Sequence, residues 1–169
     1  MDPITVSCES REATASLAAR IATVLRPGDC VVLAGDLGAG KTTFVKAAVA
    51  ALGIDDAVTS PTFTLVHHYG TASRRVVHAD LYRLDRSGEL DDLGLDEARD
   101  DGAILFVEWG DVVGTALGDA LVVTLRLDDP NELDRRVVVV SGRGERWERR
   151  WTTVAAALAS GHDRAAGDR

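Results

Sequence analysis

Gly35-Asp36-Leu37-Gly38-Ala39-Gly40-Lys41-Thr42 has the spacing G-x-x-x-x-G-K-T. Residue types in this order suit a polyphosphate. Gly35, Gly38 and Gly40 let the chain turn tightly, so that successive N–H groups converge on phosphate oxygens with no side chain in the way. Lys41 supplies a charge for the β- and γ-phosphates, and Thr42 a hydroxyl for Mg²⁺. Thr43 is placed to reach the α-phosphate. The chemistry expected of the segment is binding of ATP with Mg²⁺, followed by its hydrolysis.

Mg²⁺ takes oxygen ligands and keeps several waters, so a carboxylate should stand nearby. Ala103–Val107 is an apolar run that ends in Glu108, a form that puts an acid beside the loop. Glu108 is therefore the expected metal ligand, direct or through water. Asp80 lies at the end of a second such run and is placed to orient a water or to support the metal from behind. His78 shares its strand face by period two and is read either as a packing histidine or as part of the site. Thr62, in Ser60-Pro61-Thr62-Phe63-Thr64, is placed to sense the γ-phosphate through its hydroxyl. Trp109 either fills the core rim or shapes the γ-phosphate pocket, and Arg83 either meets phosphate or pairs with an acid. His67 and His68 are adjacent, so they point to opposite sheet faces, and no zinc is assigned.

The phosphate segment needs a strand before it and a helix after it. Cys30–Ala34 (CVVLA) is a short β-branched run, and Lys41–Leu52 has a helical pattern that stops at Gly53. Upstream, Ala13, Leu17, Ile21 and Leu25 form one helix face, with Ser10 as N-cap and Pro27-Gly28 as the stop. Val58–Tyr69 and Arg74–Leu81 read as a hairpin around Gly70–Ser73. Ser87–Asp101 reads as one or two short helices broken at Gly94, and Ala103–Trp109 as a buried strand. Val112–Ala120 is irregular. Leu121–Leu127 and Arg136–Val140 read as strands around an Asp-Asp-Pro-Asn turn, Glu145–Leu158 as a C-terminal helix, and 161–169 as a frayed tail. The pattern implies a single α/β domain over residues 1–160 of the P-loop NTPase type. It has three layers and a mixed parallel and antiparallel sheet with antiparallel edges.

Composition bounds the rest. The 169 residues amount to about one domain. No apolar run reaches the roughly 20 residues of a membrane span, and Met1–Ser10 lacks the pattern of a signal peptide, so the cytoplasm is expected. A net charge of −8 argues against a general phosphate-neutralising surface. Any RNA in this biology would be met through partners. Cys8 and Cys30 are read as two small buried thiols.

Taken together, GDLGAGKTTF (35–44), SPTFTLV (60–66), HADLYRL (78–84) and VEW (107–109) resemble the TsaE family in order and spacing from about Thr14 to Gly142. The resemblance implies a small ATPase of tRNA threonylcarbamoyladenosine formation. It would act with partner proteins TsaB and TsaD, which transfer a threonylcarbamoyl group to adenosine 37 of tRNAs reading codons that begin with A. It implies Thr42 and Glu108 as metal ligands, Lys41 as the phosphate lysine and Asp80 as an acid near the γ-phosphate. It also implies that Thr14 and Arg136 flank the adenine. Ala18 stands where the family more often has Gly.

Three rivals share the loop. A small-molecule kinase needs an Arg-bearing lid, for which only Arg83 and Arg86 are near. A GTPase commonly uses N-K-x-D, and Asn131-Glu132-Leu133-Asp134 has Glu where Lys belongs. A nucleotide-dependent binding module with negligible hydrolysis would use the same carboxylates.

Overall fold

The computed structural model describes residues 1–84, 88–129 and 132–160. Arg86, Asn131 and the segment 161–169 lie outside them. The strands are β1 (Ile4–Cys8), β2 (Cys30–Ala34), β3 (Val66–Thr71), β4 (Arg74–Asp80), β5 (Ile104–Glu108), β6 (Ala120–Leu127) and β7 (Arg136–Arg143). The helices are α1 (Arg11–Ala22), α2 (Lys41–Ala51), α3 (Gly88–Asp91), α4 (Leu95–Asp100), α5 (Glu145–Glu148) and α6 (Trp151–Ala159).

One sheet runs in the order β1-β7-β6-β2-β5-β4-β3. Its centre, β6-β2-β5-β4, is parallel, and both margins are antiparallel, β3 against β4 and β1 and β7 beyond β6. This is the expected mixed sheet. Every residue of β2 and β5 is buried, as a parallel centre covered on both faces requires. Alternation divides the side chains. Val31, Leu33, Val76, Ile104 and Phe106 face α1, α2 and α6, whereas Cys30, Val32, Val77, Leu105 and Val107 face α3, α4 and the 112–119 segment. By the same period, His78, Asp80 and Glu108 fall on the α2 side.

Several boundaries differ from the sequence expectation, each for a local reason. The side chain of Ser10 accepts from Ala13 N at 3.1 Å, the expected N-cap. However, α1 stops at Ala22 rather than running to Pro27. The Thr23 hydroxyl donates to Arg20 O at 2.7 Å and closes the last turn. Leu25 still packs on the core from beyond the helix end.

β3 begins at Val66, not Val58. Pro61 brings no N–H for a ladder, and a turn closed by Leu65 N donating to Pro61 O at 2.6 Å occupies the segment. The C-terminal helix is two pieces, with Arg150 off the helical path (φ −112°, ψ 3°). That break accompanies the reach of Arg146 and Arg150 to Asp29, described below. β1 adds an edge strand whose Cys8 pairs with Arg136.

Candidate functional site

The parallel strands β2, β4 and β5 end at Ala34, Asp80 and Glu108, on one side of the sheet. The loops that follow them therefore meet there, the usual place for a ligand in such a sheet. Residues 35–40 join β2 to α2, as the phosphate-loop reading requires. Gly35 has φ +131°, and a Cβ there would lie 2.2 Å from Leu125 O, so only glycine lets the loop leave the sheet so closely. Gly40, at φ +102°, opens α2 with its N-terminus toward the loop.

Lys41 is buried, with its ammonium donating to Gly35 O at 2.7 Å and Asp36 O at 2.9 Å. The same ammonium lies 3.9 Å from the centre of the Trp109 ring, a cation–π contact. Burial lowers the lysine's pKa, against the pull of Glu108, Asp80, Asp111 and Asp36. Trp109 itself has φ +59°, an uncommon conformation for a bulky residue, and its ring meets Tyr82 at 5.0 Å.

The acids are wired to hydroxyls. Thr42 Oγ1 donates to Glu108 Oε1 at 2.7 Å, so the strand-end carboxylate does reach the loop. Thr62 Oγ1 donates to Asp80 Oδ2 at 2.7 Å and sits 2.7 Å from Ser60 Oγ. Tyr82 N donates to Asp80 Oδ1 at 3.0 Å. Asp80 and Glu108 face each other in the β4–β5 register. Both are buried, and among the described residues neither forms an ion pair with Lys or Arg. His78 Nε2 lies 2.8 Å from Glu108 Oε1.

Two cavities meet at the loop. The larger, about 310 Å³, holds Lys41, Thr42, Thr62, Asp80, Glu108 and Trp109 in its wall. The other, about 200 Å³, is walled by Arg11, Thr14, Ala39, Asp134 and Arg136. Gly38, Gly40 and Thr43 belong to both. Arg136 is buried and its Nε donates to Ala39 O at 2.8 Å, so it props the loop from below. Arg11 and Asp134 pair at 2.6 Å across the mouth of the smaller cavity.

Fit to a divalent cation can be judged from these donors. Thr42, Glu108 and Asp80 offer oxygen only, and among the described residues no Lys or Arg forms an ion pair with either carboxylate. No group of three or more His, Cys, Asp or Glu side chains suited to a metal occurs among the described residues. That composition suits Mg²⁺, which is held by one or two carboxylates together with phosphate and water rather than by an all-protein cage.

Residues 8–137 match the family profile described as threonylcarbamoyl adenosine biosynthesis protein TsaE. The chain belongs to the TsaE family. The tRNA threonylcarbamoyladenosine biosynthesis protein TsaE of Bacillus subtilis is 38% identical over 146 residues, covering 85% of this chain and 87% of that one. The TsaE of Streptomyces coelicolor is 42% identical over 136 residues, 78% of this chain and 91% of that one. Among solved structures, that of Bacillus subtilis YdiB superposes with a TM-score of 0.75 at 30% identity, over 92% of this chain and 95% of the other.

The TsaE-like motifs thus converge. Gly35 to Thr43, Thr62, Asp80 and Glu108 meet at one end of the sheet, while Thr14 and Arg136 stand around the adjoining cavity. Arg83, left open between phosphate and an acid, lies over Phe63 with its guanidinium 4.9 Å from the ring centre. The contacts of Ser60 and Tyr82 N with the Thr62–Asp80 pair were not read from sequence. Neither was the His78–Glu108 bond, although the two-residue spacing of His78 and Asp80 already put both on one strand face.

Proposed function

We propose that this TsaE-family chain binds ATP with Mg²⁺ and hydrolyses it in support of tRNA threonylcarbamoyladenosine biosynthesis. The supporting observation is the 2.7 Å bond from Thr42, at the start of the loop helix, to Glu108, at the end of β5. It brings a hydroxyl and a carboxylate together where a triphosphate on the loop would carry its metal. On this reading the amides of Gly35, Asp36, Leu37, Gly38, Ala39, Gly40, Lys41, Thr42 and Thr43 hold the phosphates. Lys41 exchanges its loop carbonyls for phosphate oxygens. Thr42 and Glu108 hold Mg²⁺, which would neutralise charge developing on the γ-phosphate. Asp80, oriented by Thr62 and Tyr82 N, lies beside Glu108 and is placed to orient the attacking water. The cavity of Thr14 and Arg136 takes the adenine.

The partners are TsaB and TsaD, in the cytoplasm, with tRNA met only through them. Leu37 and Tyr82 are exposed in the wall of the larger cavity, and Phe63 is exposed beside the wall residue Thr62, which gives a partner an apolar rim to close on. Phosphate release from ATP, with the chain alone and with TsaB, TsaD and tRNA, tests the reading. Mg²⁺-dependent release that rises with the partners is expected. Release that is absent in every mixture would favour a nucleotide-dependent binding module. Transfer of the phosphate to a small acceptor would favour a kinase.

A further inference from the structure

His78 is fully buried and stands behind the cavity wall rather than lining the cavity itself. Its Nε2 lies 2.8 Å from Glu108 Oε1, while its Nδ1 is buried with no hydrogen-bond partner among the described residues. The Tyr69 ring lies beside it, with centroids 6.4 Å apart. These contacts select one tautomer. Hydrogen on Nε2 donates to the carboxylate and leaves only a bare lone pair at Nδ1. Hydrogen on Nδ1 would bury an unmatched N–H and turn a lone pair on Glu108.

Glu108 Oε1 therefore accepts twice, from Thr42 Oγ1 at 2.7 Å and from His78 Nε2. Two donors on one oxygen restrain the carboxylate. They also occupy one of its oxygens, so that Oε2 is left as the oxygen for a ligand in the cavity. His78 reaches this place because β4 and β5 are parallel, with His78 opposite Phe106 and Asp80 opposite Glu108. A side chain two residues back on β4 then meets, on the diagonal, the side chain at the end of β5.

We propose that His78 is a positioning residue: its Nε2–H holds Glu108 so that the free carboxylate oxygen faces the metal of a bound Mg²⁺–ATP. The inference rests on the reading of Glu108 as a metal-holding group. It follows the general pattern in which a ligand's hydrogen-bond partner sets its orientation and basicity.

Calorimetric ATP titrations with and without Mg²⁺ test it on the full chain, its His78→Phe variant, which keeps a ring without a donor, and its His78→Gln variant, which restores a donor at similar reach. His78→Phe should keep its affinity in EDTA but lose about tenfold or more of the Mg²⁺-dependent gain, and His78→Gln should recover most of it. An undiminished gain in His78→Phe would overturn the inference. Should that variant fail to fold, His78→Gln retaining the gain while the shorter His78→Asn loses it gives the same support, and equal gains in the two overturn it.

A wild-type chain whose ATP affinity ignores Mg²⁺ would remove the functional reading. The positioning claim would then be judged by ¹⁵N shifts of the His78 ring. An Nε2–H tautomer whose signal moves in Glu108→Ala supports it, and an Nδ1–H tautomer or an unmoved signal overturns it.

Discussion

The two ends of the central strands bury carboxylates in opposite ways. At the lower end, Asp29 precedes β2 with no exposed surface. Arg150 Nη1 donates to it at 2.8 and 2.9 Å, Arg146 approaches at 3.3 Å, and Arg26 N donates at 2.7 Å. Arg99 adds three bonds of its own, to Gly28 O, Leu117 O and Asp119 O. Asp29 is thus answered by two guanidinium groups and a backbone amide, and α5 and the residue before α6 are pinned to the sheet as a result. At the upper end, Asp80 and Glu108 stand side by side and, among the described residues, receive only hydroxyls, one imidazole and one backbone amide. The lower acid is a structural tie, whereas the upper pair, among the described residues, has no Lys or Arg at ion-pair distance, which is the difference the proposed metal site rests on.

Removing the lower acid should produce the largest change. Asp29→Ala leaves a fully buried acid site empty and removes the ionic partner of the partly buried Arg150, and should cost about 3–5 kcal/mol of stability in denaturant unfolding. ATP affinity of the folded protein should stay as it is. A cost below about 1 kcal/mol would mean that the two ends do not differ as described.

Next in size, Lys41→Ala should weaken ATP binding by about 1.5–3 kcal/mol, the worth of a charge-assisted contact. Calorimetry reads this, and unchanged affinity would separate the upper end from nucleotide.

Smaller again, Glu108→Gln keeps an oxygen to accept from Thr42 and His78 while removing charge from a crowded pair. Its stability should stay within about 1 kcal/mol of the wild type, with Mg²⁺-dependent hydrolysis lost. Marked destabilisation would make Glu108 a structural acid like Asp29.

The smallest effect concerns Cys30, next to Asp29, whose thiol burial pushes up to about 11. Cys8 is also buried and raised for the same reason. At pH 8 a thiol reagent should modify neither until the chain unfolds. Rapid labelling of Cys30 would reveal that the lower end opens.

The difference between the ends was unevenly legible in the sequence. The upper end announces itself, because the G-x-x-x-x-G-K-T spacing, the apolar runs before Glu108 and Asp80, and the Ser-Pro-Thr segment are local patterns. The lower end joins Asp29 to Arg146 and Arg150 across more than a hundred residues. No local pattern ties an acid before a strand to arginines in a late helix, and so that helix was expected to be continuous. Leu65, at φ +65°, marks a similar limit. Composition alone made 58–65 part of a strand, whereas the turn that brings Thr62 to Asp80 depends on a contact with β4, Asp80 N donating to Leu65 O at 3.0 Å. Period two placed His78 on the same face as Asp80, but its partner on β5 required the register.

A crystal structure of the chain grown with Mg²⁺ and a non-hydrolysable ATP analogue tests the central claim most directly. The account predicts phosphates on the amides of residues 35–43, a metal against Thr42 and Glu108, and the base between Thr14 and Arg136. Nucleotide bound elsewhere, or a metal that leaves Thr42 and Glu108 untouched, would contradict it.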